Sequence, residues 1–143
     1  MDWLPTWVAA AGKNTLTTEV QVLRIGDCFL VGLPSEVFVE YQIEIRERSG
    51  AEFTFVSELA NDSISYVPTP KAYEEGGYEV RSSSLAPEAG KALVDAAIEL
   101  VGSLRYRSQQ LGLAVREVGV LVETAPRPCA ASFVSFYFTL VLV

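Results

Sequence analysis

Residues 87–103 constrain the fold of this 143-residue chain more than any other stretch. Ala89, Ala92, Leu93, Ala96, Ala97, Leu100 and Val101 recur at i, i+3, i+4 and i+7, which puts them on one face of a helix. Pro87 suits the first turn, and Glu88, Lys91, Asp95 and Glu99 cover the wet side. An alanine-rich face has little relief, so it can pack closely on a flat partner such as a β-sheet. The rest of the chain must then supply strands.

Residues 17–33 read as two of them. Val20, Val22 and Leu23 lead to a Gly26-Asp27 turn, and Cys28, Phe29, Leu30 and Val31 follow as a continuous apolar run. A short apolar run closed by Gly and Pro suits a buried strand. Pro34-Ser35 then offers a helix start, with Ser35 available as a cap. The next stretch carries both periods. Val39, Tyr41, Ile43 and Ile45 alternate with polar residues, yet Val37, Phe38, Tyr41 and Ile45 also share a helical face opposite Glu36, Glu40, Glu44 and Glu47. Helix is the reading adopted for residues 36–48, and residues 53–59 read as a third strand. Residues 61–77 are loop-like, with Pro68, Pro70 and Gly76-Gly77 as breakers. Residues 111–122 could form a further strand. The end, residues 130–143, is uncharged, strongly apolar and shorter than the roughly 20 residues of a spanning helix, so no transmembrane helix is expected there. The predicted architecture is α/β, a mixed sheet with two packed helices and a hydrophobic, β-prone C-terminal tail.

Charge divides the chain. Residues 1–104 hold seven Lys and Arg against sixteen Asp and Glu, a net −9, while residues 105–143 hold four against two, a net +2. The overall −7 opposes nucleic-acid phosphates, and no basic cluster with interleaved aromatics argues otherwise. The start contains Asp2 and Pro5 and no basic run, so it makes a poor export signal. Cys28 and Cys129 form no framework; a single disulfide between them is open, and two buried free thiols is the reading adopted. Histidine is absent altogether. That excludes Ser-His-Asp and Cys-His catalysis and histidine-rich zinc sites built from this chain alone.

Two places carry the residue types that chemistry needs. Leu33-Pro34-Ser35-Glu36 sets a carboxylate where a buried strand stops, a corner that holds ligands in many open α/β folds. A Glu in a first helical turn is also favoured by the helix dipole alone, so the position by itself has no functional weight. Asn61-Asp62-Ser63-Ile64-Ser65-Tyr66 and Tyr73-Glu74-Glu75-Gly76-Gly77-Tyr78-Glu79 put polar tips and aromatic bodies in one long segment, as a lined pocket would. An ordinary surface loop with its tyrosines on the core edge accounts for the same residues. Gly76-Gly77 lacks the spacing of a nucleotide cradle.

Here the sequence resembles the neutral/alkaline ceramidases. Arg24-Ile25-Gly26-Asp27, the apolar strand and Leu33-Pro34-Ser35-Glu36 resemble the strand that family closes with Pro-Gly-Glu. Asn61 through Tyr66-Val67-Pro68-Thr69, then Tyr73-Glu74-Glu75 and Tyr78-Glu79, resemble its Asn-x-x-x-x-Tyr-(Val/Ile)-Thr-Thr and Tyr-Glu signatures. Ser84-Leu85 and the helix after Pro87 continue the likeness. The resemblance implies the C-terminal part of a zinc-dependent amidase domain that cleaves the N-acyl bond of ceramide. It places Glu36 and Tyr66 on two metal-ligand positions, and Asn61, Tyr73 and Tyr78 along the substrate. Family members usually act outside the cytoplasm.

The departures are specific. Ser35 stands where the family usually has glycine, the interval from Glu36 to Tyr66 is shorter, and Gly76-Gly77-Tyr78 differs from the usual approach to Tyr-Glu. The family's two histidine ligands and its serine motif have no counterpart in this chain. The resemblance therefore divides it into a lead-in over 1–16, a ceramidase-like segment of a partial domain over 17–104, and an unassigned tail over 105–143. Three readings follow. The chain supplies Glu36 and Tyr66 to a hydrolase whose zinc site another polypeptide completes; it is a truncated, inactive product; or it is a non-catalytic lipid- or protein-binding fragment. On each of them the chain alone is expected to be inactive.

Overall fold

The computed structural model describes residues 15–106 and 113–123. Strand β1 (Thr15–Ile25) turns through Gly26-Asp27 into β2 (Cys28–Gly32), with Ile25 opposite Cys28 and Val22 opposite Val31 in an antiparallel register. Gly26 takes φ 61°, a left-handed conformation that glycine adopts without steric cost. Residues 36–37 form a short β3 (Glu36–Val37), and helix α1 (Val39–Ser49) crosses over to β4 (Phe53–Ser57), which pairs in parallel with β2. Next come β5 (Tyr66–Val67), two short helices α2 (Pro70–Glu75) and α3 (Tyr78–Ser82), the long helix α4 (Ala89–Tyr106) and β6 (Leu113–Glu123).

The main sheet has the order β4-β2-β1-β6, and a second, two-stranded sheet pairs β3 with β5. Parallel and antiparallel pairs meet on β2, so the expected mixed α/β arrangement is what forms. Period-two alternation along β1 buries Leu16, Thr18, Val20 and Val22 on one face. Phe29 and Val31 continue that face, and α4 closes it with Leu93, Val94, Ala97, Val101 and Leu104. Alanine at 89 and 97 lets α4 lie close to its neighbours. Helix α1 runs beside α4, burying Tyr41 and Ile45. It ends at Gly50, φ 63°, where Arg105 Nη1 donates to the Ser49 carbonyl at 3.0 Å. Arg24 Nη1 caps α4 in the same way through the Leu104 carbonyl at 2.9 Å.

The structure corrects one boundary. The helix expected from residue 36 begins at Val39, because Glu36 and Val37 pair with Tyr66 and Val67 instead. Ser35 does not cap it. Phe38 occupies the N-cap position with no side-chain hydrogen bond, and Ser35 Oγ accepts from the Ile64 N–H. The stretch taken as loop, 61–77, holds β5 and α2, and α3 follows directly after it. Residues 113–123, placed in the unassigned tail, pair with β1 along its whole length. Cys28 is a free, half-buried thiol, and Cys129 lies outside the described residues with the start and residues 130–143. Among the described residues no helix is long and apolar enough to cross a membrane.

Candidate functional site

The site begins with the turn after β2. Leu33, Pro34 and Ser35 are fully buried, and Ser35 takes φ 72°, a left-handed conformation unusual for a residue with a side chain. Three hydrogen bonds hold it there. Its N–H donates to the Asp62 carbonyl at 3.0 Å, its carbonyl accepts from Leu59 at 2.9 Å, and its Oγ accepts from Ile64. The turn aims the next residue, Glu36, at β5, where its partner in the parallel register is Tyr66.

Glu36 and Tyr66 are each half-buried and are register partners on the two strands. The Glu36 carboxylate, acting on the Tyr66 hydroxyl as a hydrogen-bond acceptor, is the first cause of a phenol pKa pushed from 10.0 up to about 12; desolvation and the negative charges of Glu36 and Glu79 add to it. Tyr66 is therefore a neutral hydrogen-bond donor across the physiological range. The Tyr78 ring meets Tyr66 edge-on, with centroids 5.7 Å apart and planes at 77°.

Backbone contacts fix the strand that carries Tyr66. Ser83 Oγ donates to the Tyr66 carbonyl at 2.8 Å, and Ser65 Oγ donates to the Ser82 carbonyl at 2.7 Å, stitching β5 to α3. The Val67 carbonyl accepts from Phe38 at 3.3 Å, and the buried Tyr41 hydroxyl donates to the Pro68 carbonyl at 2.9 Å. Thr69 caps α2 by accepting from Ala72 N, with Pro70 in the first turn.

Of the residues singled out from sequence, Glu36, Tyr66 and Tyr78 come together. Tyr73 serves as support: its hydroxyl donates to the Leu85 carbonyl at 2.7 Å and lies 3.0 Å from Ser83 Oγ. Asn61 faces the main sheet, donating from Nδ2 to Glu19 Oε1 at 2.9 Å, beside Asp62, which accepts from Thr18 Oγ1 at 3.1 Å. Sequence reading missed Ser65, Ser83 and Tyr41. The three consecutive serines before α4 were the available signal for Ser83. Nothing local marked Tyr41 as an anchor for Pro68.

As a metal site the pair is incomplete. Zinc favours imidazole and thiolate, and two oxygen donors, one of them a neutral phenol, do not make a zinc site. Among the described residues no group of three or more His, Cys, Asp or Glu could hold a metal ion.

No protein-family model matches the chain, and no curated protein matches it. A solved structure described as "Ceramidase complexed with C2" does match, with a TM-score of 0.57 and 28% sequence identity, over 62% of this chain. The chain spans about 15% of the length of that ceramidase. The relation to ceramidases anticipated from the sequence is thereby found in three dimensions, and over the matched part this chain is ceramidase-like.

Proposed function

We propose that this chain is one part of a ceramidase-like amidohydrolase, in which Glu36 and Tyr66 are two oxygen donors to a zinc ion whose imidazole ligands come from another polypeptide. The observation that carries the reading is the register pairing of Glu36 with Tyr66 across two parallel strands, in a chain that resembles a ceramidase. The substrate class this implies is a lipid amide, with Tyr78 beside the Glu36–Tyr66 pair, while Tyr73 supports the site and Asn61 is turned to the main sheet. No hydrolytic step is assigned to the isolated chain. It contains no histidine, and its donor set does not fit zinc.

What the chain's own residues contribute is placement. Glu36 presents a carboxylate from a turn with no slack, and Tyr66 presents a neutral O–H from a strand held on both sides. The test is zinc affinity and fatty-acid release by the pure chain, and by the chain mixed with a polypeptide covering the remainder of the matched ceramidase. The pure chain is expected to bind no stoichiometric zinc and release no fatty acid. The mixture is expected to bind zinc that a Glu36→Ala, Tyr66→Phe chain cannot retain. Zinc-dependent amide hydrolysis by the pure chain would overturn the proposal, as would a mixture indifferent to the double substitution.

A further inference from the structure

Among the described residues, four that are not glycine take a positive φ: Ser35 at 72°, Leu59 at 53°, Asn61 at 66° and Ser65 at 107°. All four lie in the turn before Glu36 or in the segment that leads to Tyr66. Backbone strain gathered in one place persists only where surrounding contacts enforce it, and it clusters where placement matters. Here those contacts are explicit. Leu59 and Ile64 donate their N–H groups to the carbonyl and Oγ of Ser35, and the Ser35 N–H reaches the Asp62 carbonyl. The segment is thus wrapped around Ser35, and Tyr66 then pairs with Glu36, the very next residue. Only Ser65 separates the anchor at Ile64 from the anchor at Tyr66, so its backbone takes the turn that joins them.

The Ser65 side chain has its own task. Glycine would adopt φ 107° without steric cost, whereas a residue with a Cβ is strained there. The hydroxyl supplies what glycine lacks, because Oγ donates to the Ser82 carbonyl at 2.7 Å. Ser82 is the last residue of α3, and Tyr78 at the other end of that helix sets its ring edge-on to Tyr66, with centroids 5.7 Å apart. A five-residue helix with no buried residue has little packing of its own to hold it in place.

We propose that Ser65 is a positioning residue for the Glu36–Tyr66 pair: its backbone turn sends Tyr66 alongside Glu36, and its hydroxyl holds α3 so that the Tyr78 ring stays against Tyr66. It acts through Tyr66 and Tyr78 rather than on a ligand. Its value to a ligand rests on the reading of Glu36 and Tyr66 as two donors, whereas the placement itself does not.

Nuclear Overhauser effects in the pure, metal-free chain test the placement. The Glu36–Tyr66 backbone effect reports the turn, the Tyr66–Tyr78 ring effect reports the position of α3, and the Val22–Val31 effect reports that the main sheet is intact. Ser65→Gly keeps the turn and removes the hydroxyl, so the ring effect is expected to fall by about half or more while the Glu36–Tyr66 effect stays. Ser65→Ala leaves a Cβ on the strained backbone with no bond to hold it. There both effects are expected to fall by about half or more, with the Val22–Val31 effect retained. Ring and backbone effects equal to the parent's in both variants overturn the proposal, and so does a glycine variant that loses the Glu36–Tyr66 effect with its main sheet intact. If the alanine chain fails to fold, the glycine chain still decides, since an undiminished ring effect there refutes the role of the hydroxyl. Zinc retention by the same variants, each mixed with the completing polypeptide, is a separate reading. Zinc binding that never appears, with the Overhauser effects as expected, would count against the two donors and leave the placement by Ser65 supported.

Discussion

Gly90, in the first turn of α4, sits against the ring that anchors the strand of Tyr66. A Cβ built there would lie 2.1 Å from both Cζ and Oη of Tyr41 and 2.6 Å from Cε2. Tyr41 is 5% exposed, and its hydroxyl holds the Pro68 carbonyl at 2.9 Å. The ring therefore cannot yield without giving up that bond. In Gly90→Ala the overpacking costs about 1–3 kcal/mol. A buried carbonyl left without its donor adds about 1–3 kcal/mol. Alanine's better helix propensity returns at most about 1 kcal/mol, and less in a first turn.

The expected net loss is about 2–4 kcal/mol, or roughly 10–20 °C in the melting temperature of a domain this size. Equilibrium urea unfolding followed by far-UV circular dichroism measures it. The control is a double-mutant cycle with Tyr41→Ala. With the ring gone, Gly90→Ala should be neutral or slightly stabilising, so the two changes couple by about 2–4 kcal/mol. A Gly90→Ala chain as stable as its parent, or one whose cost persists without the Tyr41 ring, would refute the reasoning.

Glu36→Gln removes the charge that holds the Tyr66 phenol at about 12, so that phenol should titrate closer to 10.0; ultraviolet titration against a Tyr66→Phe chain measures it, and superimposable curves would rule the pairing out. Tyr41, raised by burial, and Tyr66, raised by Glu36, each stand at about 12 against 10.0 unfolded. The folded state then keeps protons that the unfolded chain releases, so these two groups leave stability unchanged below about pH 10 and erode it as the pH rises from about 10 to 12. Urea midpoints across that range should fall less steeply in a Tyr41→Phe, Tyr66→Phe chain. Ser35→Ala leaves the buried Ile64 N–H without its acceptor while keeping a left-handed residue with a Cβ, an expected cost of about 1–3 kcal/mol. Ser35→Gly loses the same bond but relieves the backbone, so it should be the more stable of the two by about 1 kcal/mol; the opposite order in urea unfolding would refute this account of the turn.

What was legible in the sequence is what local periodicity encodes. The Ala89–Val101 face specifies α4, and Gly26-Asp27 between two apolar runs specifies the β1–β2 hairpin, because each signal lies within a few residues of the structure it forms. Glu36 and Val37 were misassigned to a helix for the opposite reason. Their strand exists only through Tyr66 and Val67, thirty residues later, and no local pattern reports a partner that distant. β6 shows the same effect at greater range. Residues 111–122 could be read as a strand, but the eleven-residue match to β1 depends on register that the segment's own sequence does not contain. Ser35 hid its conformation because serine, unlike glycine, does not advertise a positive φ. The resemblance held the clue, since the family's glycine at this position suits the left-handed turn that Ser35 occupies here at φ 72°.

The site was legible only in part, and the residues explain where it stopped. Carboxylate and phenol at 36 and 66 came from resemblance, whereas Tyr73 and Tyr78 looked alike in sequence and separate in the structure. Tyr73 spends its hydroxyl on Leu85 and Ser83, while Tyr78 leaves its ring against Tyr66. The outcome is a pair ordered before any ligand arrives. Glu36 follows a residue held by three hydrogen bonds, and Tyr66 is held through Ser83 at its own carbonyl and through Phe38 and Tyr41 just beyond it. Ordering flexible donors is a large part of the cost of assembling a binding site. In this chain the fold has already ordered two of them, so a second polypeptide that completed the site would have only its own donors to place.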